Sequence, residues 1–467
     1  MGFIIVLIII GIVIGRTVMI KKKLTIQNNY EVIDEKREQE LYLELKELLQ
    51  IPTVSGSNHF HEYLQTLETM FPIYFSKAEK IEINSAFLFR IKGTKNNDLP
   101  SLILAHVDVV EENGEWDYPA MDATLVDHII YGRGTIDNKG MGYSFFKAIE
   151  QLLKEGKEFE NDLYFMASHD EESLGLGVKH VAEYLKENKL QFKVIFDEGG
   201  AVTGEVMPGI QNDIALLGLC EKGYLDIEFR AKSKGGHSGS PQVDNPFSRL
   251  AKFMVEVEKP GYFKVSFMKT VKQMFTTISP YMTFPLRMLL GNMWLFSPLV
   301  KKVLPSFSPS IGAMMKTTIV FTRAQGSDAN NVIPETAKVT ANIRNLPTED
   351  MSFVINKLIK TAKKYDLEYS ILYEKPASSM TDKNHTEVTR VKKVIEQTMP
   401  GTIVCPYVTI GATDCCHLDA FSDAVIRFSP IRASGQQIAA MHGINENIGV
   451  SELNKAIEFF YCYLNSM

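Results

Sequence analysis

Apolar and polar positions change rhythm several times along the chain. Residues 1–20, "MGFIIVLIIIGIVIGRTVMI", are apolar on every side with Arg16 as the one charge, and Lys21, Lys22 and Lys23 follow. About 20 such residues cover a bilayer core, and an arginine near the end can extend its head to the interface. The stretch lacks the basic start and small-residue cleavage site of a secretory signal, so it predicts a single membrane anchor over 1–23. By the positive-inside tendency, the lysines place the rest of the chain on the cytoplasmic side.

From about Glu31 the spacing turns helical, with Leu41, Leu43, Leu45, Leu48 and Leu49 ending at "IPTVSGS". Short apolar runs then alternate with amphipathic ones. "AFLFRIKG", "LPSLILAHVDVV", "NDLYFMASHDEES" and "FKVIFDEGG" read as strands; "HFHEYLQTLETMF", "GYSFFKAIEQLLKEG" and "GVKHVAEYLKENK" read as helices. That order predicts an α/β catalytic domain whose mixed sheet is covered on both faces. Sites in such sheets lie beyond the carboxyl ends of the strands.

After Gly218 the alternation becomes strictly two-residue, in "GYLDIEFRAKS", "KTTIVFTRAQ" and "TAKVTANIRNL", with a helix at "PFSRLAKFMVEVEK". This reads as a separate α+β lid inserted over 218–376, between catalytic parts 30–217 and 377–467. Within it, residues 260–316 are rich in Met, Phe and Leu and interrupted by Pro280, Pro285 and Pro298. The segment predicts either an extra helical layer with its own small core or an apolar substrate channel or membrane-facing surface.

The composition narrows the classes. A net charge of −6 over 467 residues, without a dense Lys/Arg block, gives no footprint for nucleic acid. Five cysteines without CxxC spacing (Cys220, Cys405, Cys415, Cys416, Cys462) argue against a disulfide framework and a thiolate zinc site.

The candidate chemistry sits at strand ends. His106 and Asp108 follow "LILA" two residues apart, on one face of an extended segment. Asp137, Glu171, Glu172, Asp197, Glu198 and His442 fall in comparable places, whereas single polar residues such as His128, His180 and Asp162 read as core or cap positions. Converging carboxylates repel one another unless cations stand between them, and imidazole with carboxylate suits zinc or a similar divalent ion. A two-metal hydrolytic site needs such a set, with one bridging carboxylate and one free carboxylate as base.

Seven motifs, "LILAHVDVV", "GRGTIDNKGM", "SHDEESLG", "FDEGGAV", "SKGGHSGSP", "NNVIPETAKVTANIR" and "MHGINENI", in this order resemble the aminoacylase/carboxypeptidase family of di-zinc metallopeptidases, in its vacuolar carboxypeptidase S and N-acyl-amino-acid hydrolase branch. The resemblance implies a di-zinc exopeptidase-type catalytic domain with a dimerisation-type lid. It implies two zinc ions, or cobalt or manganese, with His106 and Asp197 on one, Glu172 and His442 on the other, and Asp137 bridging. Asp108 would orient His106, and Glu171 would be the general base. His237 would hold the oxyanion, in some relatives from a neighbouring subunit. Arg344 would clamp the substrate carboxylate with Asn331 nearby, and Gly411 and Thr413 of "GATD" would lie beside it. Relatives follow that Thr-Asp with a small residue and Arg; here Cys415 and Cys416 stand there. His169 and His417 are expected to be structural. The implied activity is cleavage of an amide next to a free carboxylate, in a small peptide or an N-acyl amino acid, by a homodimer joined through the lid. The alternatives are a dipeptidase or aminopeptidase on the same scaffold and an inactive membrane-tethered binding protein.

Overall fold

The computed structural model describes residues 2–20, 33–84, 86–173, 175–204, 210–241 and 243–467. Lys21, Lys22 and Lys23, which carried the expectation for the membrane side, lie outside the described residues.

Among the described residues, nine strands form the main sheet, in the spatial order Glu79–Ile83, Ala86–Ile91, Leu163–Ser168, Ser101–His106, Val194–Asp197, Val425–Arg427, Ile214–Glu221 and Ile403–Thr409, with Val202–Thr203 beside Ile214–Glu221. The sheet is mixed. Ser101–His106 runs parallel to both Leu163–Ser168 and Val194–Asp197, so these three strands end on the same edge. Burial explains why they read as continuous apolar runs: every residue of Leu163–Ser168 is buried, because helices cover both faces. The helix Lys139–Lys154 buries Met141, Phe145, Phe146, Ile149 and Leu152, and the C-terminal helix Val450–Asn465 adds Phe459, Phe460 and Tyr463 to the same core.

The lid is a four-stranded antiparallel sheet ordered Thr318–Gln325, Thr336–Arg344, Tyr224–Lys232 and Glu368–Lys375. Residues of Tyr224–Lys232 alternate between half-buried and buried, as its two-residue rhythm predicts. The helices Pro246–Glu258 and Met351–Lys363 seal one face through Phe253, Val257, Val354 and Leu358. Ile214–Glu221 belongs to the main sheet, so the chain leaves the catalytic domain after Glu221 rather than after Leu217.

Residues 260–316 form a helical layer, Lys269–Ile278, Phe284–Gly291, Met293–Phe307 and Pro309–Met315. Its core of Val271, Met274, Phe275, Ile278, Met282 and Leu290 is continuous with Ile214, Ile403, Cys405 and Val408. Although the segment is inserted in the lid sequence, it thus seats on the edge of the catalytic sheet, where it covers the terminal strand Ile403–Thr409. The helix Gly2–Met19 packs against this layer: Asn292 Nδ2 donates to Thr17 Oγ1 at 3.0 Å, and both residues are fully buried. The rest of Gly2–Met19 is largely exposed, and it is long and apolar enough to cross a membrane.

Candidate metal centre and substrate cleft

The carboxyl edge of the three parallel strands delivers the site. His106 is the last residue of its strand, Glu171 and Glu172 follow Ser168 by a short turn, and Glu198 follows Asp197. Asp137 arrives just before the helix Lys139–Lys154, and His442 from the loop after Gly435–Ala440. Asp137 joins two halves, its Oδ1 lying 3.0 Å from His106 Nε2 and its Oδ2 3.1 Å from His442 Nε2. Glu198 Oε1 stands 3.4 Å from His106 Nε2, and Glu172 Oε2 3.2 Å from His442 Nε2. Two groupings result, His106–Asp137–Glu198 and Asp137–Glu172–His442, each with its ligand atoms within 4.8 Å, and a third, His106–Glu171–Glu172, brings the expected base alongside.

One expected ligand is displaced. Asp197 turns away from the cluster: its Oδ2 accepts the Cys415 amide at 2.8 Å and its Oδ1 the Glu198 amide at 2.9 Å. Adjacent residues at a strand end point to opposite faces, so once Asp197 faces the Cys415 loop, Glu198 faces the imidazole. The structure therefore brings Glu198, not Asp197, beside His106.

Asp108 acts through several contacts. It lies 3.4 Å from His106 Nδ1, accepts Ser55 Oγ at 2.6 Å, and receives the amides of Glu171 and Glu172 at 3.3 and 3.1 Å. One buried carboxylate thus fixes both the imidazole and the turn bearing the two glutamates, as outer partners of metal ligands commonly do. A second brace was not foreseen from the sequence. The fully buried Glu446 accepts the amides of Gly134, Ile136 and Asp137 at 3.0, 2.9 and 3.1 Å, and the Arg133 guanidinium at 2.9 Å. Arg133 in turn donates to the carbonyls of Met441 and Gly443, which flank His442. The arginine and glutamate of "GRGTID" and "INENI" therefore lock the Asp137 loop to the His442 loop. An acid flanked by two asparagines was the available signal.

The electrostatics fit divalent cations. Burial and the neighbouring Asp137 charge push Glu198 up to about 8, and burial with Asp197 does the same to Asp414. Burial also raises Glu171 well above the carboxylate range. Hydrogen bonds accepted by the Asp137 and Glu172 carboxylates lift His442 to about 10. So many buried carboxyls around two imidazoles are mutually strained as anions, and cations held among them relieve that strain. The donor set, nitrogen and oxygen without thiolate, suits zinc-like ions.

The cluster floors a cleft of about 690 Å³ whose other wall belongs to the lid. Arg344 lines it, its guanidinium 4.1 Å from the centre of the Tyr224 ring and its Nε donating to Asn342 Oδ1 at 3.1 Å. Asp226 orients this platform by accepting Tyr224 Oη at 2.9 Å and Asn342 Nδ2 at 2.7 Å. The buried Nη1 of Arg344 has no hydrogen-bond partner among the described residues. Gly411 and Thr413 also line the cleft, but the Thr413 hydroxyl is engaged at 2.8 Å with Glu221. Glu221 is a buried junction between domains, bonded to Lys375 of the lid at 2.6 Å and to Arg427 of the main sheet at 2.8 Å. His417 lines the cleft near Lys375, and the His169 ring packs tilted against Phe60, centres 4.2 Å apart.

His237 and Asn331 are not in this cleft. They lie exposed on the small pairing of Gly236–His237 with Val332–Ile333. The lid register gives the reason. Leu225 pairs with Ile343, so Arg344 shares the Tyr224 end of the sheet, whereas His237 comes five residues after the opposite end of a nine-residue strand that spans roughly 26 Å.

Fold and site together define a two-domain metallohydrolase whose centre is built on one sheet edge. The chain belongs to Peptidase family M20/M25/M40, whose family model matches residues 102–466. It is similar to the N-fatty-acyl-amino acid synthase/hydrolase of Xenopus tropicalis, with 30% identity over 438 residues, 91% of this chain and 85% of that protein. The probable carboxypeptidase S-like 2 of Dictyostelium discoideum is also 30% identical, over 86% of this chain and 78% of that one. In fold it resembles the M20 family metallo-carboxypeptidase Sso-CP2 of Sulfolobus solfataricus, with a TM-score of 0.69 at 21% identity over 93% of this chain and 99% of that one.

Proposed function

We propose that the chain is a zinc-dependent hydrolase of amide bonds whose leaving amine carries a free carboxylate, acting on N-acyl amino acids with apolar acyl chains and, less well, on C-terminal peptide residues. The observation that carries this reading is one cleft with two imidazole–carboxylate groupings sharing Asp137 on its floor and, on its wall, the Arg344 guanidinium, whose Nη1 has no hydrogen-bond partner among the described residues. His106, Glu198 and Asp137 would hold one ion, and Glu172, His442 and Asp137 the other. When bound, such a pair supplies a water of lowered pKa and polarises a carbonyl.

The residues do the rest. Glu171, packed against His106 and Glu172, takes a proton from the attacking water and returns it to the departing amine as the carbon–nitrogen bond breaks. Burial raises its carboxyl above the ordinary value, which favours the proton-carrying form it must pass through between the water and the amine. Arg344, steadied by Tyr224 and Asn342, receives the substrate carboxylate in bidentate fashion. Tyr407, Ile410, Ile438 and Met441 offer an apolar wall for the acyl chain, in keeping with the activity named for the Xenopus relative. His237 reaches a substrate through lid closure or from a second copy of the chain. The helix Gly2–Met19 anchors the enzyme in a membrane.

The test compares hydrolysis of long-chain N-acyl amino acids, their carboxylate-blocked esters and short dipeptides, with and without chelator. Chelator-sensitive turnover that needs the free carboxylate and rises with acyl length is expected. Turnover that ignores the carboxylate points instead to an aminopeptidase or dipeptidase, and no turnover with any substrate to a binding protein.

A further inference from the structure

The helical layer 260–316 carries two features the hydrolytic reading leaves unused. Between Pro260 and Lys316 the sequence has seven basic residues, Lys264, Lys269, Lys272, Arg287, Lys301, Lys302 and Lys316, and no Asp or Glu, in a chain whose net charge is −6. The layer also leaves large apolar side chains in solvent: Phe284 is 44%, Trp294 53%, Leu299 51% and Val303 39% exposed. On Met293–Phe307, Trp294, Pro298, Leu299, Lys302 and Val303 make one exposed face, apolar with a basic residue within it. A helix of that composition lies in a membrane interface, its apolar side about 5–10 Å into the boundary and its lysines on anionic headgroups.

The anchor fixes the depth. Asn292, between the two middle helices of the layer, bonds Thr17 at 3.0 Å and reaches the Val13 carbonyl at 3.5 Å. Gly291 leaves room for Ile20, since a Cβ there would come within 2.4 Å of that side chain. The contact thus covers Val13 to Ile20, roughly 10 Å of helix at 1.5 Å per residue. If Gly2–Met19 spans a bilayer, its last two turns lie in one leaflet, and the layer packed against them lies there too.

We propose that residues 260–316 are a second membrane-contact element, seated beside the N-terminal span in an anionic leaflet. This rests on the anchor reading above. The same layer reaches the cleft, because Tyr407 and Ile410 pack against its core and also line the substrate wall. The seat therefore puts the apolar side of the cleft next to the membrane, where acylated substrates concentrate.

The chain has two tryptophans, Trp116 and Trp294, which makes the test direct. The full chain is reconstituted in phosphatidylcholine vesicles with and without phosphatidylserine, and flotation reports attachment. Trp294 emission, taken as the difference from a Trp294→Phe chain, is read with lipids brominated on the acyl chain and with aqueous iodide. The expected result is a chain that floats, with Trp294 emission blue-shifted, quenched by bromolipid and protected from iodide, more strongly with phosphatidylserine and less so after Lys302→Glu. A chain that floats while Trp294 stays open to iodide overturns the proposal and leaves the anchor standing. Protection from both quenchers, with chains cross-linking through this face, overturns it in favour of a second copy. Quenching indifferent to phosphatidylserine and to Lys302→Glu overturns the anionic assignment, and a chain that does not float overturns anchor and seat together.

Discussion

The two walls of the cleft are built on different principles. On the catalytic side, every grouped residue follows a strand or loop of one sheet edge, and each is braced by a buried partner: His106 and the Glu171–Glu172 turn by Asp108, the Glu198 amide by Asp197, the Asp137 and His442 loops by Glu446 and Arg133. On the lid side, Arg344 lines the cleft with its Nη1 lacking a partner among the described residues, while His237 stands on a separate two-stranded pairing beyond the other end of that sheet. The braced edge presents its groups together; of the two groups expected from the lid, Arg344 is already at the cleft, and His237 would need a change of position or partner to reach it. On the proposed reading, the acid–base and metal roles fall to the fixed wall and recognition of the carboxylate to the lid wall.

That contrast can be broken from either side. The largest effect is expected from Glu171→Gln, which should lower kcat about 10²- to 10⁴-fold with KM and metal content held, since only the proton carrier is lost. A matching loss of metal would place Glu171 among the ligands instead. Next comes the junction between the walls. Glu221→Gln leaves Lys375 and Arg427 buried without their counter-charge and should cost about 3–5 kcal/mol in a denaturant titration. Burial raises the Glu221 carboxyl, but Lys375 and Arg427 outweigh it and hold it below its ordinary 4.5. Its contribution is therefore complete above that value and fades as pH falls through the lower folded value, so the variant should lose this part of the wild-type acid limb.

His237→Ala sharpens the lid side. If the histidine supplies an oxyanion contact on closure or from a second copy, kcat should fall about 10²- to 10³-fold although the residue lies outside the cleft. Mixing this variant with Glu171→Gln chains should restore activity only if the contact crosses between copies. Unchanged kcat would confine the reaction to the fixed wall. The smallest effect is expected from Arg344→Ala, a roughly 10- to 100-fold rise in KM for free-carboxylate substrates, the value of one or two charge-assisted hydrogen bonds. A carboxylate-blocked substrate should not notice the change.

The same contrast governs what was legible in the sequence. Strand-end acids and a histidine could be found because a parallel sheet sends its carboxyl ends to one edge, which brings His106, Glu171 and Glu172 together, while Asp137 and His442 reach the same edge on loops. Asp197 and Glu198 could not be told apart, because what separates them is the Cys415 amide, more than 200 residues further along. The distance between His237 and Arg344 depends on hairpin register, and about 100 residues of intervening chain hide it. Of the prolines read as helix breaks in 260–316, Pro280 and Pro285 begin short helical turns, but Pro298 lies inside the helix Met293–Phe307, and nothing local told that the layer would rest on the strand Ile403–Thr409. Thr413 was found in the cleft, but its hydroxyl serves Glu221, a buried acid with no motif of its own.

The central claim is that Asp137 joins two metal positions, with Glu198 and not its neighbour completing the first. Metal analysis of the purified full chain beside Glu198→Gln and Asp197→Asn tests it most directly. About two ions per chain are predicted for the wild type and for Asp197→Asn, and about one for Glu198→Gln. Full loading of Glu198→Gln together with loss from Asp197→Asn would contradict it.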